Sequence, residues 1–167
     1  MKRRTAKTFA EIVLIAVVVA VIVCLLQSVS VADAYDNVTE AYVLCADYVN
    51  VRPFANKKGE PLGRLESGDR VWLDGKKKNG YLHCIDTGLE ADGWVFSGYI
   101  VYDEPVRMNA SAVIVSKGRL AARKYVGGKR TRWLKPLASV KVYCMSEDWS
   151  VTNCGYVKTE FLEIEGE

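Results

Sequence analysis

Histidine is nearly absent: the 167 residues contain one, His83. Nucleophilic catalysis by cysteine needs a thiol beside a base that a third group orients. His83 and Cys84 are consecutive within an expected strand, Tyr81 to Ile85, where neighbouring side chains point to opposite faces, so this imidazole is not the base for that thiol. His83 reads instead as a partly exposed strand residue. A metal clip is missing too. Beyond the N-terminal segment the cysteines are Cys45, Cys84, Cys144 and Cys154, separated by 39, 60 and 10 residues, without the C-x-x-C pair that structural zinc commonly uses. No metal, cofactor or catalytic residue is expected, and the chain reads as a non-enzyme.

Long apolar runs are absent except one. Lys2-Arg3-Arg4 and Lys7 precede an uninterrupted apolar stretch of fifteen residues, Ile12 to Leu26, which Gln27-Ser28 and Ala32-Asp33-Ala34 follow. A basic start, an apolar core and an Ala-x-Ala site are the three parts of a secretory signal peptide. The run is shorter than the roughly 20 residues a spanning helix needs, although Val29, Val31 and Ala32 could extend it into an uncleaved anchor with its basic end in the cytoplasm. Cys24 lies inside the apolar run, which argues against a lipoprotein signal. Residues 1–34 are thus an N-terminal hydrophobic helix, either signal peptide or membrane anchor, and both readings place everything from Tyr35 onward outside the cytoplasm. Nucleic acid is not an expected partner of such a chain.

What remains says one phrase twice. Gly93-Trp94-Val95-Phe96-Ser97-Gly98-Tyr99-Ile100 and Gly155-Tyr156-Val157-Lys158-Thr159-Glu160-Phe161-Leu162 both read Gly, aromatic, Val, any residue, Ser or Thr, any residue, aromatic, aliphatic. Upstream, Asn50-Val51-Arg52 matches Ala121-Ala122-Arg123, Asp69-Arg70-Val71-Trp72-Leu73 matches Ala138-Ser139-Val140-Lys141-Val142, and Gly80-Tyr81-Leu82 matches Asp148-Trp149-Ser150. The offset falls from 71 (52 to 123) to 62 (93 to 155), with the losses at Lys76 to Gly80 and Asp86 to Asp92, where loops are expected because loops tolerate deletion. An internal repeat of about this period is the signature of a duplicated unit.

Short strands account for the pattern within each copy. Val71 and Leu73 alternate with Trp72 and Asp74, and Val140 and Val142 with Lys141 and Tyr143, the period of a half-buried strand. Asn56 to Gly59, Asn79-Gly80, Asp92-Gly93 and Gly127-Gly128 supply the turns. The third strand is ambiguous: Leu82 and Cys84 look like its inner face in the first copy, Trp149 and Val151 in the second.

The ordered motifs, Leu44 to Pro53, Pro61 to Leu65 with Gly68-Asp69-Arg70-Val71, Asn79-Gly80-Tyr81 and Gly93-Trp94-Val95, resemble those of the bacterial SH3-like (SH3b) domain. The likeness covers residues 43–100 well and 113–162 more weakly, because Asn-Val has become Ala121-Ala122 and the Gly before Trp149 is Asp148. The resemblance implies an all-β chain: two small SH3-like barrels in tandem, at 35–104 and a divergent 105–167, after the hydrophobic helix. It also implies binding of cell-wall peptidoglycan or an associated anionic polymer. Proteins carrying such modules often add a Cys/His peptidase or amidase, for which the two copies leave no segment here.

Three groups are candidates for contact. Trp72 aligns with Lys141 and is expected to face water, whereas Tyr81, Trp94 and Trp149 occupy aromatic positions that serve equally as core or as a sugar or peptide groove; Tyr99 and Phe161 read as core. Arg52 and Arg123 keep their charge across copies, which suits either pinning the first loop or an acidic ligand. Arg119, Arg123, Lys124, Lys129, Arg130, Arg132 and Lys135 are expected on a long exposed loop. Charge is divided between the copies: 8 basic and 12 acidic side chains in 35–104, 11 and 6 in 105–167. The halves could dock on one another, or the basic one could draw an anionic polymer. Four cysteines in an exported chain allow three disulfide connectivities. Pairing within copies, Cys45 with Cys84 and Cys144 with Cys154, is the simplest, with the second pair doubtful on strand geometry.

Two functions follow: an exported, non-enzymatic wall-binding module, or a membrane-tethered module that binds another envelope protein or targets a separate wall hydrolase. The N-terminus separates them. If it is cleaved, intact-mass analysis of released protein is expected to find a chain beginning at Tyr35; a membrane-fraction mass that retains Met1 to Ala34 establishes the anchor.

Overall fold

A computed structural model describes residues 38–89 and 92–165, which form fourteen strands in two runs of seven. The first run is β1 (Thr39–Val43), β2 (Tyr48–Val51), β3 (Gly63–Glu66), β4 (Arg70–Lys78), β5 (Tyr81–Asp86), β6 (Gly93–Phe96) and β7 (Ile100–Val101). The second is β8 (Val106–Ile114), β9 (Leu120–Arg123), β10 (Arg130–Leu134), β11 (Ser139–Met145), β12 (Trp149–Thr152), β13 (Gly155–Lys158) and β14 (Leu162–Ile164). Before the last strand of each run lies a single 3-10 turn, Ser97–Tyr99 and Thr159–Phe161. The fold is all-β. The hydrophobic helix expected over residues 1–34 lies outside the described residues, and among those described no helix is long and apolar enough to cross a membrane.

Hydrogen bonding repeats along with sequence. The second run is one sheet of order β10-β9-β13-β12-β11-β8-β14; the first is a sheet β6-β5-β4-β1-β7 and a hairpin β2-β3. An antiparallel bridge from Arg52 to Trp94 ties that hairpin to β6, which restores the same order. Its counterpart joins Arg123 to Tyr156, so the residues that align in sequence also occupy the same place in the ladder. Asn79 and Gly80 close the β4–β5 hairpin with φ of 51° and 78°, the left-handed pair that a tight hairpin requires and that Asn-Gly supplies. Lys76 to Lys78, expected in a loop, belong to β4; the first copy is longer there because its hairpin arm is longer.

Each run encloses its own apolar cluster. Val43, Val51, Val71, Leu82, Cys84 and Val95 are at the centre of the first, and Ile114, Ala122, Val142 and Val157 of the second. The third strand resolves its ambiguity by register. Ser150 pairs with Val157 and Val151 with Tyr156, and Val157 belongs to the second core while Tyr156 does not. The inner face of β12 is therefore Ser150 and Thr152, the counterparts of Leu82 and Cys84. Both are buried, which they tolerate because Ser150 Oγ meets Thr159 Oγ1 at 2.9 Å and Thr152 Oγ1 donates to the Gly155 carbonyl at 2.8 Å. Val151 looked like core because it is buried, but from the outside.

What buries it is the other copy. Leu44 and Val101 of the first run pack with Cys144, Val151 and Tyr156 of the second, flanked by Tyr99, Tyr125 and Trp149. The Tyr156 hydroxyl donates to the Leu44 carbonyl at 3.0 Å, while the Leu44 amide donates to the Tyr99 carbonyl at 2.8 Å. Across the other side of the junction Arg107 donates to the Ser67 carbonyl at 2.6 Å and to Glu66 at 2.9 Å. Residues 38–165 accordingly pack as one compact unit.

The expected disulfides are not formed: Cys45, Cys84, Cys144 and Cys154 are free thiols. Cys45 and Cys84 share the first core, but each sulfur lies against a different backbone amide, Asp47 and Val95. Cys144 faces the junction, where Ser67 Oγ donates to its sulfur at 3.0 Å, and Cys154 packs against the second core. Burial pushes the Cys45 and Cys84 thiols up to about 12, and it raises the Tyr156 phenol as well.

Removing the Tyr156 hydroxyl leaves the buried Leu44 carbonyl without that donor, a loss of about 1–3 kcal/mol. Tyr156→Phe is expected to lower the unfolding free energy at pH 7 by that amount, read as a lower denaturation midpoint with an unchanged slope. Groups whose acidity is suppressed by folding release their protons first in the unfolded chain, so stability holds below their ordinary range and falls as pH rises through it. The wild type should weaken from about pH 8.5, where unfolded thiols ionise, and further near pH 10, where phenols do. Equilibrium unfolding from pH 7 to 10.5 checks both, with Tyr156→Phe showing a smaller second decline, since burial also raises the Tyr99 phenol.

Candidate functional site

A concavity of about 530 Å³ lies beside this junction, within the usual range for a small-ligand site. The first run contributes Tyr48 and Asn50 from β2, Arg52 and Lys57 from the loop after it, and Tyr81, Phe96 and Tyr99 from the outer face of β5–β6 and its 3-10 turn. The second contributes Lys124, Tyr125 and Lys129 from the turn between β9 and β10. Tyr81 and Phe96 face outward together because they are register partners, while their neighbours Leu82 and Val95 point into the core.

Tyr125 completes the cleft. Its ring meets Phe96 at 4.9 Å and 85° and Tyr99 at 6.5 Å and 69°, and Phe96 in turn meets Tyr81 at 5.6 Å and 72°. The Val126 amide donates to the Gly98 carbonyl at 3.0 Å. Two glycines make room for the ring: a Cβ at Gly98 would come within 2.5 Å of it, and one at Gly128 within 2.6 Å.

Both loops that carry the cations are pinned by the repeated arginine. Arg52 Nη1 donates to the carbonyls of Lys57 at 3.2 Å and Gly59 at 3.3 Å, and Arg123 Nη1 donates to the Gly128 carbonyl at 2.7 Å. Arg123 is thus engaged in shaping the turn and does not line the cleft. Four cations do, Arg52, Lys57, Lys124 and Lys129, and no acidic residue joins them. Four cations elsewhere are matched, Arg70 with Glu40, Arg107 with Glu66, Lys158 with Asp148 and Lys76 with Asp74. Among the described residues none of the cleft cations makes such a pair.

Of the residues singled out by sequence, Arg52, Tyr81, Lys124 and Lys129 reach this cleft. Trp72 is half-buried rather than exposed, because the Arg70 guanidinium covers it 5.7 Å from the ring centroid. Trp149 is half-buried under Lys158 at 4.9 Å, beside the junction. The basic cluster expected on a long loop is largely a hairpin, β9–β10, in which Arg130 stacks on Trp133 at 4.4 Å and Arg132 lies on the outer strand. Tyr99, read as core, is half-buried and lines the cleft. Tyr48, Lys57, Phe96 and Tyr125 were not singled out as contacts; a tyrosine two residues before Gly127-Gly128 looks like any turn residue until Gly98 of the other copy is placed against it.

Trp94 stacks on His83 at 4.9 Å on the outer face of the first sheet. His83 Nδ1 lies 2.9 Å from Asp74, whose other neighbour is Lys76 Nζ at 2.6 Å. Burial pushes the Asp74 carboxyl up, but hydrogen bonds from Lys76 and His83 outweigh it and hold the group below the usual range. Cys84 is fully buried on the opposite face, so the strand separates that pair from the nearest thiol in sequence.

No family model matches this chain, and no curated protein does. Among solved structures it is similar to NlpC1 from Trichomonas vaginalis, at 15% identity over 78% of this chain and 47% of that one, with a TM-score of 0.35. NlpC2 from the same organism aligns at 14% identity over 77% of this chain and 49% of that one, also at 0.35. The chain spans about half the length of both proteins, and a likeness at this level carries no functional argument.

The two-glycine seat makes the site testable. Gly98→Ala forces Tyr125 and Phe96 apart, and overpacking of this kind costs about 1–3 kcal/mol. Thermal unfolding is expected to show that loss, and tyrosine-ring NMR signals of Tyr125 and Tyr99 to shift, whereas Gly118→Ala, where a Cβ meets open space, should leave those rings in place.

Proposed function

We propose that this chain is an exported, non-enzymatic binding protein of the cell envelope, made of two SH3b-like barrels at 35–104 and 105–167, which holds peptidoglycan or an associated anionic wall polymer in the junction cleft. The module assignment is supported by the strand order, the same in both halves, and by the motifs that fall at equivalent places in it. Export is supported by the basic and apolar segment of residues 1–34. The observation that carries the ligand class is the cleft itself: four cations, five aromatic rings and no carboxylate. An anionic oligomer satisfies the cations, and the rings give it apolar contact area at low entropy cost.

Co-sedimentation of residues 35–167 with purified sacculi, prepared with and without teichoic acid, tests this. Retention is expected. Lys124→Glu with Lys129→Glu should weaken it several-fold at low salt, and salt should weaken the wild type in parallel, because exposed charges act over only about 10 Å at 0.1 M. Trp72→Ala, away from the cleft, should change nothing. Retention unaffected by the double reversal would remove the cleft from the proposal, and no retention on either preparation would remove the proposal.

A further inference from the structure

The cleft's rings and charges define its occupant more narrowly than an anionic wall polymer, and this step rests on that reading. Adjacent rings meet at 65° to 85° in the series Tyr81, Phe96, Tyr99 and Tyr125. Rings set edge to face make a wall of steps and notches rather than the broad coplanar platform on which a flat sugar stacks. Notches of that size take methyl groups and short aliphatic side chains. A polyol phosphate chain has little apolar surface to place there and would leave the rings unused.

The polar groups are distributed to match. Arg52 and Lys57 approach from the first copy, and Lys124 and Lys129 from the second. Arg52 already spends Nη1 on loop carbonyls and keeps its other guanidinium donors. Asn50 is the one uncharged amide in the lining, able both to donate to and accept from a peptide bond. Two cation pairs supplied by different halves favour a ligand with carboxylates at separated points and small apolar residues between.

We propose that the junction cleft binds a short, extended peptide bearing at least two carboxylates, and that it does so only in the docked two-copy unit, since Lys124, Tyr125 and Lys129 come from the second copy and the remaining lining from the first. Neither half contains a complete site. The electrostatic part is read by charge-assisted hydrogen bonds and the apolar part by the stepped rings.

The test uses the full-length chain in mild detergent and three probes: the blocked pentapeptide Ala-Glu-Ala-Ala-Glu, its Gln-for-Glu counterpart, and a glycerol phosphate oligomer. Amide and ring NMR shifts are followed on titration. The acidic peptide is expected to saturate and to shift residues 48–57, 81, 96–99 and 124–129 together. The Gln peptide should bind at least about tenfold more weakly, as expected for losing charge-assisted contacts, and the phosphate oligomer should move the lysines without the rings. Lys129→Glu should weaken the acidic peptide with an unchanged melting curve, which separates loss of the site from loss of the fold; Tyr125→Phe, which keeps the ring, should retain binding. No saturable shift with the acidic peptide, or equal affinity for the Gln peptide, overturns the inference. If sacculi still retain the chain in that case, the envelope reading stands and only the ligand class is wrong; if sacculi do not retain it while the peptide binds, the reverse holds.

Discussion

The structure depends on one buried contact, the Tyr156 hydroxyl on the Leu44 carbonyl. Barrels of about sixty residues bury a smaller share of their surface than larger domains and are marginal alone. Here each copy uses the other as additional core. Leu44 is fully buried although it lies just past the end of β1, and both its backbone groups are taken, the amide by Tyr99 and the carbonyl by Tyr156. Fixing those two atoms fixes how the second sheet lies on the first. It also sets the turn after β9 against the 3-10 turn of the first copy, so the cleft is a consequence of the docking.

Docking explains why equivalent positions have different fates. Trp94 and Tyr156 align, bridge the repeated arginine in the same way and point outward in the same sense. Trp94 remains half-buried against His83, whereas Tyr156 is buried because the first copy covers it. His83 and Val151 make a second such pair: the uncovered face keeps a polar residue, and the covered face takes an aliphatic one. A duplicated fold thereby acquires one outer face for solvent and one for its twin.

That asymmetry also marks where sequence reading stops. Strands, turns and the repeat were legible because each rests on local signals: alternation in Val71 to Asp74, Asn79-Gly80 at a hairpin, and a phrase repeated with its glycine and aromatics. The junction was not, because burial against the other copy imprints an apolar residue on the outer face of β12 and lets Ser150 and Thr152 occupy the inner one, inverting the pattern on which strand reading relies. Trp72 was read as exposed for a related reason: alignment with Lys141 identifies the face, but not the Arg70 side chain that lies across it. Of the cleft, Arg52, Tyr81, Lys124 and Lys129 were visible as chemistry-bearing residues, and Tyr125 was not, since its role requires Gly98, 27 residues earlier, to leave a seat for it.

The grouping of charge, more than its pairing, marks the cleft. Most of a small protein's cations can be solvated or matched without consequence, and the exposed pairs here, such as Arg70 with Glu40, contribute little to stability. Four cations gathered around aromatic rings with no carboxylate among them are different, because like charges in a concave, partly apolar setting repel one another with less screening than at an open surface. Sequences that specify their fold at every level tend to break the rule where function requires it. The first copy is acidic overall, yet it turns Arg52 and Lys57 toward the basic β9–β10 turn of its neighbour. Twelve acidic side chains in residues 35–104 leave that charge unmatched within the cleft lining.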